Sequence, residues 1–214
     1  MKISVILPAK NEAEGLRRTL PALARVLPEA EIIVVDDGST DETAEVARAA
    51  GARVLSSPYS MGNGAAIKRG ARAAQGDVLV FMDADGQHDP EDIPGLLARL
   101  EAGFDMVVGA RQGRHYRGSP VKLPMRLLLR FLVEWTTGRA IPDINSGLRV
   151  FSRATAMRYF PHLCDTFSFT TSLTLAYMMT TRFVCYVPID YAERIGRSHV
   201  QMWRDSLRTL QFIV

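Results

Sequence analysis

Along the first half of the chain, short unbroken apolar runs alternate with stretches whose apolar residues recur every three or four positions. Residues 3–8 read as a strand, 12–26 as a helix, and 31–36, with Ile32-Ile33-Val34-Val35 inside, as a second strand. Residues 41–50 predict a helix with Ser39 or Thr40 as N-cap. A short strand at 53–55 follows, then a helix over 64–74, a strand over 77–82, a helix that Pro90 opens and that runs to 100, and a strand at 105–109. Near-continuous β-branched strands separated by helices predict an α/β fold: a mostly parallel sheet with helices on both faces. In such sheets ligands bind beyond the carboxyl ends of the strands. The loops 8–12, 36–40, 83–88 and 109–111 all follow strand ends, so one site assembled from distant sequence is expected.

The second half is less regular. Residues 120–138 predict a helix, 148–151 a strand, 153–160 and 169–179 helices, 183–187 a strand and 199–214 an amphipathic helix. With 214 residues the chain can bury a sizeable core. A boundary is expected near residue 111, because charge divides there. Residues 1–110 hold 11 Lys and Arg against 17 Asp and Glu, and residues 111–214 hold 15 against 6, so a balance of −6 faces one of +9. An acidic half suits a metal, and a basic half suits an anionic partner. No base-reading module accompanies the basic half, so nucleic acid is not the expected partner. Cys164 and Cys185 have neither pairing nor metal spacing and read as core residues. No run of 18 apolar residues predicts a transmembrane helix.

The sharpest chemistry lies in Phe81-Met82-Asp83-Ala84-Asp85-Gly86-Gln87-His88, directly after a buried strand. Side chains at i and i+2 of an extended segment point the same way. At roughly 4 Å and an effective dielectric near 20, two carboxylates repel by about 4 kcal/mol. A divalent cation carrying a diphosphate turns that cost into a use, since oxygen ligands suit Mg²⁺ or Mn²⁺. Asp36-Asp37-Gly38-Ser39-Thr40 offers carboxylates for a base or ribose, with Gly38 permitting a sharp turn. Gly62-Asn63-Gly64 leads into a helix carrying Lys68 and Arg69 one turn inside, a place that attracts phosphate.

In this order, Pro8-x-x-Asn11-Glu12, Asp36-Asp37-Gly38-Ser39, Gly62-x-Gly64-Ala65-Ala66, Asp83-Ala84-Asp85-x-Gln87-His88 and Gly109-Ala110-Arg111 resemble the inverting family-two glycosyltransferases. The closest likeness is to the dolichyl/polyprenyl-phosphate sugar synthases, the dolichol-phosphate mannose synthase type, over essentially the whole chain. That resemblance implies a Rossmann-like glycosyltransferase-A fold and a metal-dependent transfer of sugar from a nucleotide-diphosphate sugar, GDP-mannose or a UDP-sugar, to a polyprenyl or dolichyl phosphate. Residues 1–110 would bind donor and metal, and residues 111–214 the acceptor. Pro8, Ala9, Asn11, Glu12, Asp36, Asp37, Lys68, Asp83 and Ala84 would border the donor. Asp85 and Gln87, with Asp83, would hold Mg²⁺ or Mn²⁺. Asp143-Ile144-Asn145-Ser146-Gly147-Leu148-Arg149 resembles the family's acceptor region, with Leu148 where Phe is usual. Arg194-Ile195-Gly196-Arg197-Ser198-His199 resembles its phosphate-closing loop, with His199 where Lys is common. Arg111, Arg130, Ser146, Arg149 and Arg194 would meet the acceptor phosphate. Arg111, Arg194 and Arg197 would neutralise charge in the reaction, with Asp143 as a base or positioning carboxylate. A rival acceptor is a polysaccharide or another non-lipid molecule, and a rival class is a non-catalytic nucleotide-sugar sensor.

Lys122, Arg126 and Arg130 recur every four residues, with Leu123, Leu127, Leu128, Phe131, Leu132 and Trp135 over much of the rest of the helix. Periodicity alone fits a buried helix equally well. The resemblance favours one lying on the bilayer, at the cytoplasmic face of a membrane. Three basic groups at anionic headgroups add roughly 3 kcal/mol of attraction, so apolar insertion must help. The chain finishes on Leu210, Phe212, Ile213 and Val214, which the resemblance implies continue into membrane-embedded segments.

Overall fold

The structure, a computed structural model, describes residues 1–113, 131, 134, 135, 138–166 and 168–194. Its elements follow the apolar pattern closely: β1 Ile3–Ala9, α1 Ala13–Val26, β2 Glu31–Asp36, α2 Thr43–Ala49, β3 Arg53–Ser56, α3 Asn63–Ala73, β4 Val78–Phe81, α4 Ile93–Glu101 after a 3₁₀ turn at Pro90–Asp92, β5 Met106–Gln112, β6 Arg149–Ser152, α5 Arg153–Tyr159, α6 Phe169–Met179 and β7 Val184–Asp190. The expected helices at 120–138 and 199–214 lie outside the described residues, apart from helical positions at 131, 134 and 135.

The strands form one seven-stranded sheet in the order β3-β2-β1-β4-β6-β5-β7. All pairs are parallel except those of β6, which runs antiparallel to both β4 and β5. Alternation along each strand divides the core into two layers. Val5, Leu7, Val34, Val80, Val107 and Val150 pack on one face with Leu16, Leu20, Ile93 and Leu96. Ile6, Ile33, Val35, Leu79, Phe81, Val108 and Phe151 pack on the other with Ile67, Phe160, Phe169 and Leu173. Both faces are covered by helices, which explains why the strands read as unbroken apolar runs. The boundary expected near residue 111 falls within β5, and strands from both halves share the sheet.

The reversed strand matters for the site. Phe81, the last residue of β4, sits opposite Arg149, the first residue of β6. The loop that precedes β6 therefore arrives at the same end of the sheet as the loops that follow β1, β2 and β4.

Candidate functional site

The loops after β1 and β2 are laced together. Asn11 has φ 54°, in the left-handed region that asparagine tolerates better than most side chains. Its backbone N–H donates to Ser39 Oγ at 3.0 Å, and its Oδ1 accepts from Thr40 N at 2.7 Å. Pro8 and Ala9 pair with Val35 and Asp36, and Ala9 O accepts from Asp37 N at 2.8 Å. Asp36 Oδ1 accepts from Ser39 N at 2.9 Å. Ser39 and Thr40 thus bond across to Asn11, and α2 is approached differently from the expected cap: Asp41 accepts from Thr43 N and from Ala13 N.

Asp37 is buried, and its carboxylate accepts from Ser60 Oγ, Met61 N and Gly62 N at 2.7–3.0 Å, which fixes the approach to α3. Gly38 has φ 71°, and a Cβ there would lie 2.7 Å from the Tyr59 backbone. Lys68 is buried, and its ammonium donates to Leu163 O and to Asp165 Oδ1, the latter at 2.7 Å. A cavity of about 360 Å³ opens here, lined by residues that include Asp37, Met61, Ala65, Lys68, Arg69 and Asp165.

The acidic cluster stands beside these loops. Asp85 is buried; its Oδ1 accepts from Gln87 N at 3.1 Å and its Oδ2 from Arg194 Nη1 at 3.1 Å. The other Arg194 Nη bonds the Glu12 carboxylate. Asp83 is about a third exposed, with His88 Nε2 3.5 Å from its Oδ2, and Ala84 between them is buried with its carbonyl against Gly15 of α1. Burial, with Asp85 and Asp83 nearby and Arg194 opposing, pushes Glu12 up to about 7. Burial and the Asp83 charge raise Asp85. Burial opposes ionisation of Asp83 as well, but His88, Arg111 and Arg194 outweigh it and hold that carboxyl low. Among the described residues no three His, Cys, Asp or Glu side chains form a ready-made metal cage. Gln87 turns to the chain beyond β7: its Nε2 donates to Ala192 O at 3.0 Å, and its Oε1 accepts from Tyr191 OH at 2.8 Å.

The loop before β6 closes the third side. Asp143 is buried and paired bidentately with Arg111, Nε to Oδ2 at 2.7 Å and Nη2 to Oδ1 at 2.9 Å. Burial alone would raise the Asp143 pKa; the Arg111 pairing outweighs it and lowers it, so this carboxylate is a poor base. Arg111 also stands 5.1 Å over the Tyr191 ring. Ser146 is buried, and its Oγ has no hydrogen-bond partner among the described residues. Arg149 departs from the expected acceptor contact. It is wholly buried, donating to Ser146 O, Ile144 O and Thr174 Oγ1 at 2.6–2.8 Å, and burial lowers its guanidinium to about 10. Its geometry is that of an internal clamp on the 144–149 loop, with its donors turned inward rather than toward a ligand.

One end of the sheet therefore gathers Asn11, Glu12, Asp83, Asp85, Gln87, Arg111, Asp143, Ser146 and Arg194. Lys68 and Arg149 are turned to internal partners, and Arg130 and Arg197 lie outside the described residues. Two contributors had no role assigned from sequence. His88 ends the Asp-x-Asp motif, and its ring stacks edge-on 5.1 Å from that of Tyr191. Tyr191 follows the β7 apolar run with no motif of its own.

Gly147 carries a local prediction. A Cβ there would lie 2.2 Å from Asp83 Oδ2, so Gly147→Ala must turn the Asp83 carboxylate away. Turnover is expected to fall about 100-fold, with little change in melting temperature, as steady-state rates and thermal melts of the same preparation would reveal. A pH effect follows from Glu12. An ordinary glutamate titrates near 4.5 and Glu12 near 7, so between these values the folded state holds the more protons. Stability contributed by Glu12 is full below about 4.5 and is lost as pH rises through about 7. Metal-free melting temperatures are expected to decline across that window, and to decline less in Glu12→Gln.

A family model for glycosyl transferase family 2 matches residues 4–160. Undecaprenyl-phosphate 4-deoxy-4-formamido-L-arabinose transferase of Salmonella choleraesuis is 36% identical over 165 residues, covering 71% of this chain and 49% of the relative. The enzyme of that name from Pseudomonas fluorescens is 37% identical over 166 residues, covering 71% of this chain and 47% of its own. The chain spans about half the length of these curated relatives. Among solved structures, glucosyl-3-phosphoglycerate synthase of Mycobacterium tuberculosis, in complex with Mn²⁺, UDP and glucosyl-3-phosphoglycerate, superposes with a TM-score of 0.82 at 24% identity, over 99% of this chain and 78% of that one. The same synthase with Mn²⁺, UDP-glucose and phosphoglyceric acid gives 0.82 at 25% identity, with the same coverage. The fold is thus of the glycosyltransferase-A kind.

Proposed function

The chain belongs to glycosyl transferase family 2, and we propose that it moves a sugar from a nucleotide-diphosphate donor to a polyprenyl phosphate, with inversion and with a divalent cation at the acidic cluster. The observation that carries this reading is the convergence of Glu12, Asp83, Asp85, Gln87, Arg111 and Arg194, from three separate loops and the end of β5, at the carboxyl end of the sheet's parallel strands.

The donor set supports the cation. Two carboxylates, Asp83 and Asp85, with an amide oxygen from Gln87 suit Mg²⁺ or Mn²⁺, and a positive group, the Arg194 guanidinium, already bridges Asp85 to Glu12. Asp85 would hold the ion with Gln87 and Asp83, and when bound the ion would neutralise the departing diphosphate. Pro8, Ala9, Asn11, Glu12, Asp36 and Asp37 border the nucleotide, Asp36 and Asp37 by shaping loops rather than by offering vacant carboxylates. Lys68 supports the donor side through its tie to Asp165. Asp83 faces the sugar or ribose, while Ala84, buried against Gly15 of α1, borders the donor only by setting the spacing of Asp83 and Asp85.

A lipid phosphate is already anionic at neutral pH and needs no strong base to attack the anomeric carbon. The work of the site is positioning and charge neutralisation. That fits a depressed Asp143 pKa: Asp143 orients Arg111 toward phosphate, while Ser146 lies on the acceptor side. The relatives' undecaprenyl phosphate supports a polyprenyl acceptor. Phe131 and Trp135, 62% and 74% exposed and one helical turn apart, support docking on a membrane surface, which we take to be the cytoplasmic face. Among the described residues no helix is long and apolar enough to cross one.

The test is a product assay with UDP- and GDP-sugars, Mn²⁺ or Mg²⁺, and a short-chain polyprenyl phosphate, set against phosphoglycerate and free oligosaccharide. A glycosyl phosphoprenol, identified by mass and lost on chelation with EDTA, is the expected product. Transfer to phosphoglycerate or oligosaccharide alone would move the reading to a non-lipid acceptor.

A further inference from the structure

The chain beyond β7 is fastened onto the same oxygens that would hold a cation. Ala192 N donates to Gln87 O at 3.0 Å, Gln87 Nε2 donates back to Ala192 O at 3.0 Å, and Tyr191 OH donates to Gln87 Oε1 at 2.8 Å. Two residues on, Arg194 bridges Asp85 Oδ2 and the Glu12 carboxylate. These contacts join positions more than a hundred residues apart, and none is required by the sheet. We propose that residues 191–194 form a latch, in which the Arg194 guanidinium is the resident counter-ion of the acidic cluster, and that this latch and a divalent cation exclude one another.

The proposal rests on the reading that the cluster takes such a cation. A small divalent ion binds carboxylate oxygen at about 2.1 Å. Arg194 Nη1 stands 3.1 Å from Asp85 Oδ2, so ion and guanidinium would face the same oxygen as like charges a few ångströms apart. Gln87 Oε1 meets the same conflict, since the Tyr191 hydroxyl already points at it. Binding of the ion therefore releases both ends of the latch. Arg194 would act at two moments: it holds Glu12 and Asp85 together before an ion binds, and once displaced its charge would be free to meet phosphate. It is a positioning residue in the first role. A latched fraction lowers the apparent affinity for the ion by the share of molecules that are latched.

Mn²⁺ alone is the probe, followed by the loss of its free electron-paramagnetic-resonance signal in wild type and in Arg194→Gln, with no nucleotide present. The variant is expected to bind Mn²⁺ about tenfold more tightly. In the wild-type protein, hydrogen exchange of the 191–194 amides is expected to quicken when Mn²⁺ saturates, because Ala192 N–H loses Gln87 O. Equal or weaker Mn²⁺ binding by the variant overturns the latch, as does unaltered exchange in wild-type protein that has bound Mn²⁺. Absence of Mn²⁺ binding in both proteins, even with UDP or GDP added, overturns the cation reading and the latch with it.

Discussion

Asp85→Asn is expected to lower sugar transfer by about 10²–10³-fold, the range seen when a single electrostatic stabiliser of a developing charge is removed, while the protein stays folded. The two outcomes separate because, in the role proposed for it, Asp85 would serve chemistry at a cost to stability. It is buried, lies close to the Asp83 and Glu12 charges, and has a raised pKa. Asparagine keeps the shape and an oxygen for Gln87 N but removes the charge. Burial and the Asp83 charge outweigh the Arg194 pairing at this carboxylate, so the melting temperature of the metal-free protein is expected to hold or rise. Transfer at the wild-type rate in Mn²⁺ buffer would remove Asp85 from the cation site; a collapsed melting transition would recast it as a structural residue.

Arg149→Met should do the opposite. Loss of the guanidinium leaves Ser146 O, Ile144 O and Thr174 Oγ1 without the donor that now joins them. With unsatisfied acceptors costing about 1–3 kcal/mol each and adding imperfectly, the expected destabilisation is about 3–5 kcal/mol. Urea unfolding of wild type, Arg149→Met and Arg149→Lys measures it. Lysine keeps the charge but not the planar fork that reaches three acceptors, so it is expected to rescue only part of the loss. A near-neutral Arg149→Met would show that the 144–149 loop stands without its clamp. Activity falls in either variant because Gly147, within that loop, abuts the Asp83 carboxylate.

Most of the scaffold could be read from residue pattern. The runs at Ile3–Ala9, Glu31–Asp36 and Val78–Phe81 are buried on both faces, and that leaves an unbroken apolar signature. The placing of Asn11, Asp37 and Asp83 at one sheet end followed from the parallel arrangement. Strand direction did not: β6 reads polar, apolar, apolar, polar from either end, and its reversal depends on pairing with β4 and β5. Nor could pattern separate one arginine from another. Arg111 and Arg149 each lie in a strand near the site end, yet one pairs with Asp143 and the other is sealed among carbonyls. Helix position alone suits Lys68 to phosphate, yet its ammonium is tied to Asp165, 97 residues away. Gln87 and Tyr191 met for the same reason, through a contact that no local spacing encodes.

The reversed strand also bears on how the molecule could be divided. β4 and β5 share no ladder; β6 fills the gap between them and is supplied from beyond residue 148. A fragment stopping after β5 would therefore leave β4 with a raw edge and β5 with no partner on either side, and such edges invite self-association. For protein engineers this argues against producing the amino-terminal portion by itself: the strand that joins β4 to β5 must travel with it, because that strand comes from later in the chain.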